Sequence, residues 1–310
     1  MDKRNFDDLF EQIEDFTNRK GFVAALDQSG GSTPKALLNY GIEKEAYSVE
    51  GRIDEDKMFD LVHQMRQRVI TNPAFNSTKI LGTILFKKTL LSEIEGIPTS
   101  KYLLNKGIYP FLKVDLGLKD KENGVRLMKD ITDLDDSCKL ANQNKVFGTK
   151  MRSLIEEYDE TGISSVVTQQ FEYARKILSY NLVPIVEPEV SIYAENRGKI
   201  EEYLSNCIER ELLKLSNYDR IILKLTIPVN SKVYSNLLKD NHLLRIVALS
   251  GGYSQAEACK KLLKVNYMIA SFSRALLENL NFHQTDEEFS RVLENSIDKI
   301  YQASVNKESL

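Results

Sequence analysis

The sequence predicts an α/β fold, a single (β/α)8 TIM barrel over residues 1–310 with extra N-terminal and C-terminal helices. Three observations predict it. Aliphatic runs of strand length recur eight times, helical patterns lie between them, and no proline-rich linker, low-complexity tract or internal repeat divides the chain. Strands apolar on both faces, alternating with helices, belong to a parallel sheet covered on its outer side. Eight such units are the number that closes a barrel.

The first four runs are GFVAALD (21–27), KILGTILF (79–86), PFLKVDL (110–116) and VFGTKMR (146–152). LVPIVEPEV (182–190), RIILKLTI (220–227), RIVALSG (245–251) and YMIASFS (267–273) complete the set. Patterns of 3.6-residue period cover 56–70, 164–181, 196–217 and 254–265, and 286–305 reads as a closing helix. Region 32–55 and the gap before the third strand carry loops and extra helices. An open doubly wound sheet is the alternative, but no strand–loop–helix here carries a GxGxxG or GxxxxGK[ST] phosphate loop.

Composition narrows the function. A net charge of −3 and the lack of a basic stripe give no electrostatic case for nucleic acid or an anionic membrane. The N-terminus, MDKRNFDDLFEQIEDF, is charged, and no apolar run reaches membrane-spanning length. Three scattered cysteines, Cys138, Cys207 and Cys259, argue against a disulfide framework and for a cytoplasmic location. His63, His242 and His283 have no partners at metal-ligand spacing, so neither a histidine zinc site nor a Ser-His-Asp triad is expected.

A barrel gathers its chemistry at the C-terminal ends of its strands. There the sequence places Asp27, followed by QSGGS, then Lys113 with Asp115, Lys150 with Arg152, and Glu187 with Glu189. Lys224 lies in strand 6, Ser250-Gly251-Gly252 follows strand 7, and Ser273-Arg274 ends strand 8. Alternate strand residues share a face, so Glu187 and Glu189 point the same way, as do Lys150 and Arg152. Val186, Pro188 and Met151 then face the helix layer, and Pro188 reads as marking a strand that is ending. Singly, each charge reads more readily as a structural ion pair, and the glycine pair equally well as a plain turn. Together, so many purely structural charges in one barrel mouth would be costly.

With no histidine or thiol motif, the obvious nucleophile is an amine. At its reference pKa of ~10.4 a lysine is only about 0.04% free amine at neutral pH. Apolar walls and a neighbouring cation lower that value and activate the nitrogen. Lys224, set in RIILKLTIPVN, has the aliphatic flanks, and Lys150 is the candidate second cation. The expected chemistry is attack of Lys224 on a carbonyl to give a Schiff base.

FVAALDQSGGSTPKAL, FLKVDLGL, FGTKMRS, LVPIVEPEV, ILKLTIP, LSGGYS and ASFSRAL occur in this order over nearly the whole chain. The ordered set resembles the class I fructose-1,6-bisphosphate aldolases, most closely the shorter bacterial form. The resemblance implies that Lys224 forms the Schiff base, Glu187 transfers protons, and Glu189 helps hold the lysine network. It implies that Asp27 assists carbon–carbon cleavage and carbinolamine steps, and that Lys150 and Arg152 form a cationic pair near the reacting centre, with Lys113 another substrate contact. Ser250, Gly251, Gly252 and Arg274 then seat one phosphate; Ser29 and Ser32 contact the other end of the sugar. It further implies a metal-independent, cofactor-free lyase of glycolysis that acts on a sugar bisphosphate and forms a homo-oligomer.

This sequence departs from longer relatives in three places. Gln28 stands where they have glutamate, Lys224 is followed by LTIP where they have proline at once, and the chain stops at Leu310 without a tyrosine-ended tail. Other readings stay open at this point: a different Schiff-base lyase with one phosphate site, a metal-dependent aldolase, or a barrel that binds without catalysis. A glycosidase fits poorly, because its two carboxylates flank the bond from separate positions.

Overall fold

The computed structural model describes residues 6–28 and 32–308. Its eight principal strands are β1 (Phe22–Leu26), β2 (Ile80–Leu85), β3 (Tyr109–Lys113), β4 (Gly148–Ile155), β5 (Val183–Val190), β6 (Ile221–Thr226), β7 (Leu243–Leu249) and β8 (Met268–Phe272). Each pairs in parallel with the next, and β8 pairs with β1. The sheet is therefore a closed barrel, as expected. The helices that matter below are α1 (Phe6–Asn18), α2 (Glu55–Thr71), α3 (Glu160–Leu178), α4 (Arg197–Leu212), α5 (Gln255–Leu262) and α6 (Asp286–Val305).

Period-two alternation splits the apolar residues into two cores. Val23, Ala25, Phe111, Ile185, Ile222 and Val247 meet inside the barrel, while Met151, Val186, Leu223 and Leu225 pack outward against the helices. Phe111 is one of the bulkiest inner residues, and two glycines make room for it. A Cβ on Gly82 would stand 2.8 Å from its ring, and one on Gly148 would stand 3.1 Å from the ring and 1.9 Å from Val183 O.

The extra helix α1 closes the N-terminal end of the barrel. Leu9 and Phe16 join the inner core, and Arg245 of β7 donates to the carbonyls of Phe16, Thr17 and Arg19. A cation thus satisfies the acceptors that a helix C-terminus leaves open. With that end sealed, the cavity must open at the other. The closing helix α6 starts at a capping box, in which Thr285 Oγ1 accepts from Glu288 N and Glu288 accepts from Thr285 N.

Several boundaries differ from the sequence reading; the helix expected over 196–217, for example, ends at Leu212, and the strand expected over 110–116 ends at Lys113. The β4 strand continues past 152 to Ile155, because Val125 and Arg126 pair antiparallel with its end. Helix α3 starts at Glu160 rather than 164, capped by Asp159, whose carboxylate accepts from Gly162 N at 2.7 Å. Pro188 lies near the end of β5, which pairs with β4 through Val190, the end expected from the sequence. It sits past Val186, the last residue in register with β6, where the ladder on that side no longer needs a donor.

Candidate active site

The cavity at the C-terminal end of the barrel has a volume of about 1250 Å³. Asp27, Ser32, Lys113, Lys150, Arg152, Glu187, Glu189, Lys224, Ser250, Gly251, Gly252 and Arg274 all line it. Every site residue expected from the sequence is therefore brought together, except that Ser29 lies outside the described residues. None of the three histidines lines the cavity. Among the described residues no group of three or more His, Cys, Asp or Glu is arranged to hold a metal ion.

At the floor, four buried charged groups form one chain. Lys150 Nζ lies 2.9 Å from Asp27 Oδ2 and 2.7 Å from Glu187 Oε2. The other oxygen of the same carboxylate, Glu187 Oε1, lies 3.2 Å from Lys224 Nζ. The strands explain the meeting. Lys150 stands opposite Ile185 in the β4–β5 register, two residues before Glu187, and Lys224 projects inward two residues after Ile222. The backbone N–H of Glu187 donates to Gln170 Oε1 at 2.8 Å, and Gln170 Nε2 donates to Ser153 Oγ at 3.0 Å. That brace from α3 fixes the strand carrying the carboxylate.

Burial by itself would push the Asp27 carboxyl up, but Lys150, Lys224 and Lys113 overcome it and hold it well below the usual carboxylate range. Burial likewise opposes the charge on Lys150, yet Asp27, Glu187 and Asp115 outweigh it and raise the amine above an ordinary lysine. Lys150 is thus locked as a cation. Arg152 is held above its ordinary value in the same way, against burial, chiefly by Glu189, whose Oε2 accepts from Arg152 Nε at 2.5 Å. Lys113 pairs with Asp115 at 2.8 Å.

Further cationic and small polar residues surround this floor. Gly251 and Gly252 adopt positive φ (+61° and +117°), which turns the chain after Ser250, and Arg274 lies against Gly252. Lys113, Lys35, Lys129 and Ser32 also line the cavity. Sequence reasoning missed Lys35, Lys129, Ser271 and the role of Gln28 in holding the mouth together. Gln28 Nε2 donates to Ser273 Oγ, and Gln28 O accepts from Arg66, a fully buried residue of α2 that also donates to Thr89 Oγ1 at 2.6 Å. Ser271 was accessible to the reasoning, since it shares a strand face with Ser273. Lys129 was not: it reaches the cavity on a hairpin in which Lys119 N donates to Leu127 O and Lys129 N to Gly117 O. Gln169 of α3 grips both backbone groups of Met128 at 3.0 Å.

Residues 17–227 match the family model of class I fructose-bisphosphate aldolase. The chain is 54% identical over 295 residues to the class 1 fructose-bisphosphate aldolase of Clostridium acetobutylicum, covering 95% of this chain and 98% of that one. Its fold is similar to that of the fructose-bisphosphate aldolase of Plasmodium falciparum, solved with TRAP and a small-molecule inhibitor. The TM-score is 0.75 at 20% identity, over 99% and 98% of the two chains. A Corynebacterium glutamicum protein solved by structural genomics is similar at a TM-score of 0.53 and 12% identity, over 96% of each chain.

Proposed function

The chain belongs to the class I fructose-bisphosphate aldolase family, and on that premise we propose that Lys224 is its Schiff-base lysine. The substrate is D-fructose 1,6-bisphosphate, cleaved reversibly to dihydroxyacetone phosphate and D-glyceraldehyde 3-phosphate. The observation that carries this assignment is the sharing of one carboxylate by two lysines. Lys150, held as a cation by Asp27 and Glu187, is the poorer nucleophile. Lys113 also meets one carboxylate, Asp115, but is the more exposed amine, its side chain 14% accessible against 5% for Lys224. Lys224, between apolar neighbours with a single carboxylate contact, is the amine left at the floor.

In this mechanism Lys224 Nζ adds to the C2 ketone of the open-chain sugar. Glu187, already in contact with Nζ, protonates the carbinolamine oxygen as water leaves. The iminium withdraws electrons, the C3–C4 bond breaks, and Asp27 or Glu187 takes the C4 hydroxyl proton as the aldehyde departs. Protonation of the enamine at C3 and hydrolysis of the iminium release dihydroxyacetone phosphate and free Lys224. Lys150 offers a fixed positive charge to the oxygens that become anionic along the way.

Phosphate seating draws on the residues that surround the floor. Ser250, Gly251, Gly252 and Arg274 hold one phosphate through backbone N–H groups and a guanidinium. Lys113, Arg152, Lys35 and Lys129 supply the positive field at the other, with Ser32 and Ser29 as hydroxyl contacts. Glu189 orients Arg152. We further assign residues 1–310 to one domain, and the protein to a homo-oligomeric cytoplasmic enzyme of glycolysis and gluconeogenesis that needs no metal or cofactor. Family membership supports each of these, and among the described residues no helix is long and apolar enough to cross a membrane.

Borohydride trapping tests the proposal. The protein is mixed with fructose 1,6-bisphosphate or dihydroxyacetone phosphate, reduced, and the adduct mapped by mass spectrometry. An adduct on Lys224, with activity lost on reduction and unaffected by EDTA beforehand, is the expected result. An adduct on another lysine, or activity lost to EDTA, would overturn it.

A further inference from the structure

The ladder between β6 and β7 runs as far as the pair Thr226–Leu249. Beyond it, the chain from β6 continues as Ile227-Pro228-Val229, and the chain from β7 enters the Ser250–Tyr253 turn, closed by Tyr253 N donating to Ser250 O at 3.0 Å. One buried side chain bridges the two. Arg197, the first residue of α4, is 8% exposed. Its Nη2 donates to Ile227 O at 2.7 Å, and its Nη1 donates to the Tyr253 hydroxyl at 3.0 Å.

A second residue completes the tie. Nη2 of Arg197 also donates at 2.7 Å to Oε1 of Glu201, which is fully buried one helical turn on. Glu201 Oε2 accepts from Val229 N at 2.9 Å. The pair thus holds the backbone on both sides of Pro228, where no N–H is available. Tyr253 is fixed from its other side by Lys261, whose Nζ lies 4.7 Å from the ring centroid.

Burying an ion pair is a poor way to gain stability, since apolar residues of similar volume often do as well or better. A planar guanidinium does something those residues cannot: it donates in three fixed directions at once. Here those directions end on its own helix, on the segment three residues past Lys224, and on the turn containing Gly251 and Gly252. We propose that Arg197 is a positioning residue that sets the phosphate-seating turn at Ser250–Tyr253 in a fixed relation to the Lys224 strand. The inference rests on the aldolase reading, because that reading makes the distance between phosphate and amine matter. By fixing it in advance, Arg197 saves the ordering that substrate phosphate would otherwise have to impose.

Tyr253→Phe removes one hydroxyl and keeps the ring, so it tests the tie without threatening the fold. The KM for fructose 1,6-bisphosphate should rise about 3- to 10-fold, as for loss of one hydrogen bond. Competitive inhibition by inorganic phosphate should weaken by the same factor. Borohydride trapping of Lys224 by dihydroxyacetone, a ketone without phosphate, should keep its rate within about two-fold, while trapping by dihydroxyacetone phosphate slows. Arg197→Met should raise KM further, and adding Tyr253→Phe to it should have no additional effect on KM. Equal slowing with both ketones, no change with either, or additive effects of the two substitutions would overturn the proposal. Absence of trapping on Lys224 in the unaltered protein would instead sink the aldolase reading, so the two failures are distinguishable.

Discussion

Lys224 Nζ and Glu187 Oε1 stand 3.2 Å apart inside the barrel, and the other oxygen of Glu187 is held at 2.7 Å by Lys150. One carboxylate thus touches the amine assigned as nucleophile and a cation that keeps its proton. Such a carboxylate can deliver a proton toward Lys224 and receive one back without leaving its place.

Glu187→Gln keeps the size and the hydrogen-bonding reach but removes the proton-transfer capacity. The expected result is a fall in kcat of roughly 10²–10⁴-fold with a much smaller change in KM, the range general acid–base residues contribute. Steady-state kinetics of cleavage would check it. A kcat within a few-fold of the unaltered enzyme would remove Glu187 from the proton path.

The Asp27–Lys150 contact should show in acid. The carboxyl of Asp27 is depressed in the fold, so its stabilisation is present above the unfolded value of about 3.9 and is lost as pH falls below that. Lys150 is raised, so its share is present below the unfolded ~10.4 and lost only in alkali. Between about pH 5 and 9 both contribute fully. Lys150→Met removes the ion-pair partner of the buried Asp27 and leaves Glu187 with Lys224 alone, and should cost about 3–5 kcal/mol at pH 7. Thermal midpoints measured from pH 7 to 3 should show that difference narrowing toward acid. A constant gap would contradict the assignment.

Gly251 has φ +61°, and a Cβ there would lie 2.7 Å from Cγ2 of Ile192. Gly251→Ala should therefore strain the turn, by about 1–2 kcal/mol from the backbone alone, and raise KM for the bisphosphate. The double substitution Gly251→Ala/Ile192→Ala should recover part of the loss by removing the clash. Unchanged KM and thermal midpoint in Gly251→Ala would make this segment a tolerant turn with no part in seating phosphate.

Much of this was legible along the chain because barrel strands write their orientation in period two. The aliphatic runs placed all eight strands, and alternation placed Glu187 and Glu189, and Lys150 and Arg152, on the inner face. The hairpin that brings in Lys129 was not legible. Its residues, LGLKDKENGVRLMK, are mostly polar, and their structure depends on Gln169 and on the end of β4. Arg66 and Arg197 were hidden for a related reason. Each lies in a helix whose sequence shows an ordinary solvated charge, and burial between helix and barrel is what makes it a clamp.

The sequence by itself determined the barrel, the inward lysine of β6, and the family, because local periodicity and ordered motifs need no partner to be read. Only the tertiary structure decided which carboxylates each lysine meets. Lys113, Lys150 and Lys224 look alike as side chains at strand ends. Where β1, β4, β5 and β6 meet, Lys150 is set between two carboxylates, while Lys113 and Lys224 each meet one and Lys113 is the more exposed of those two.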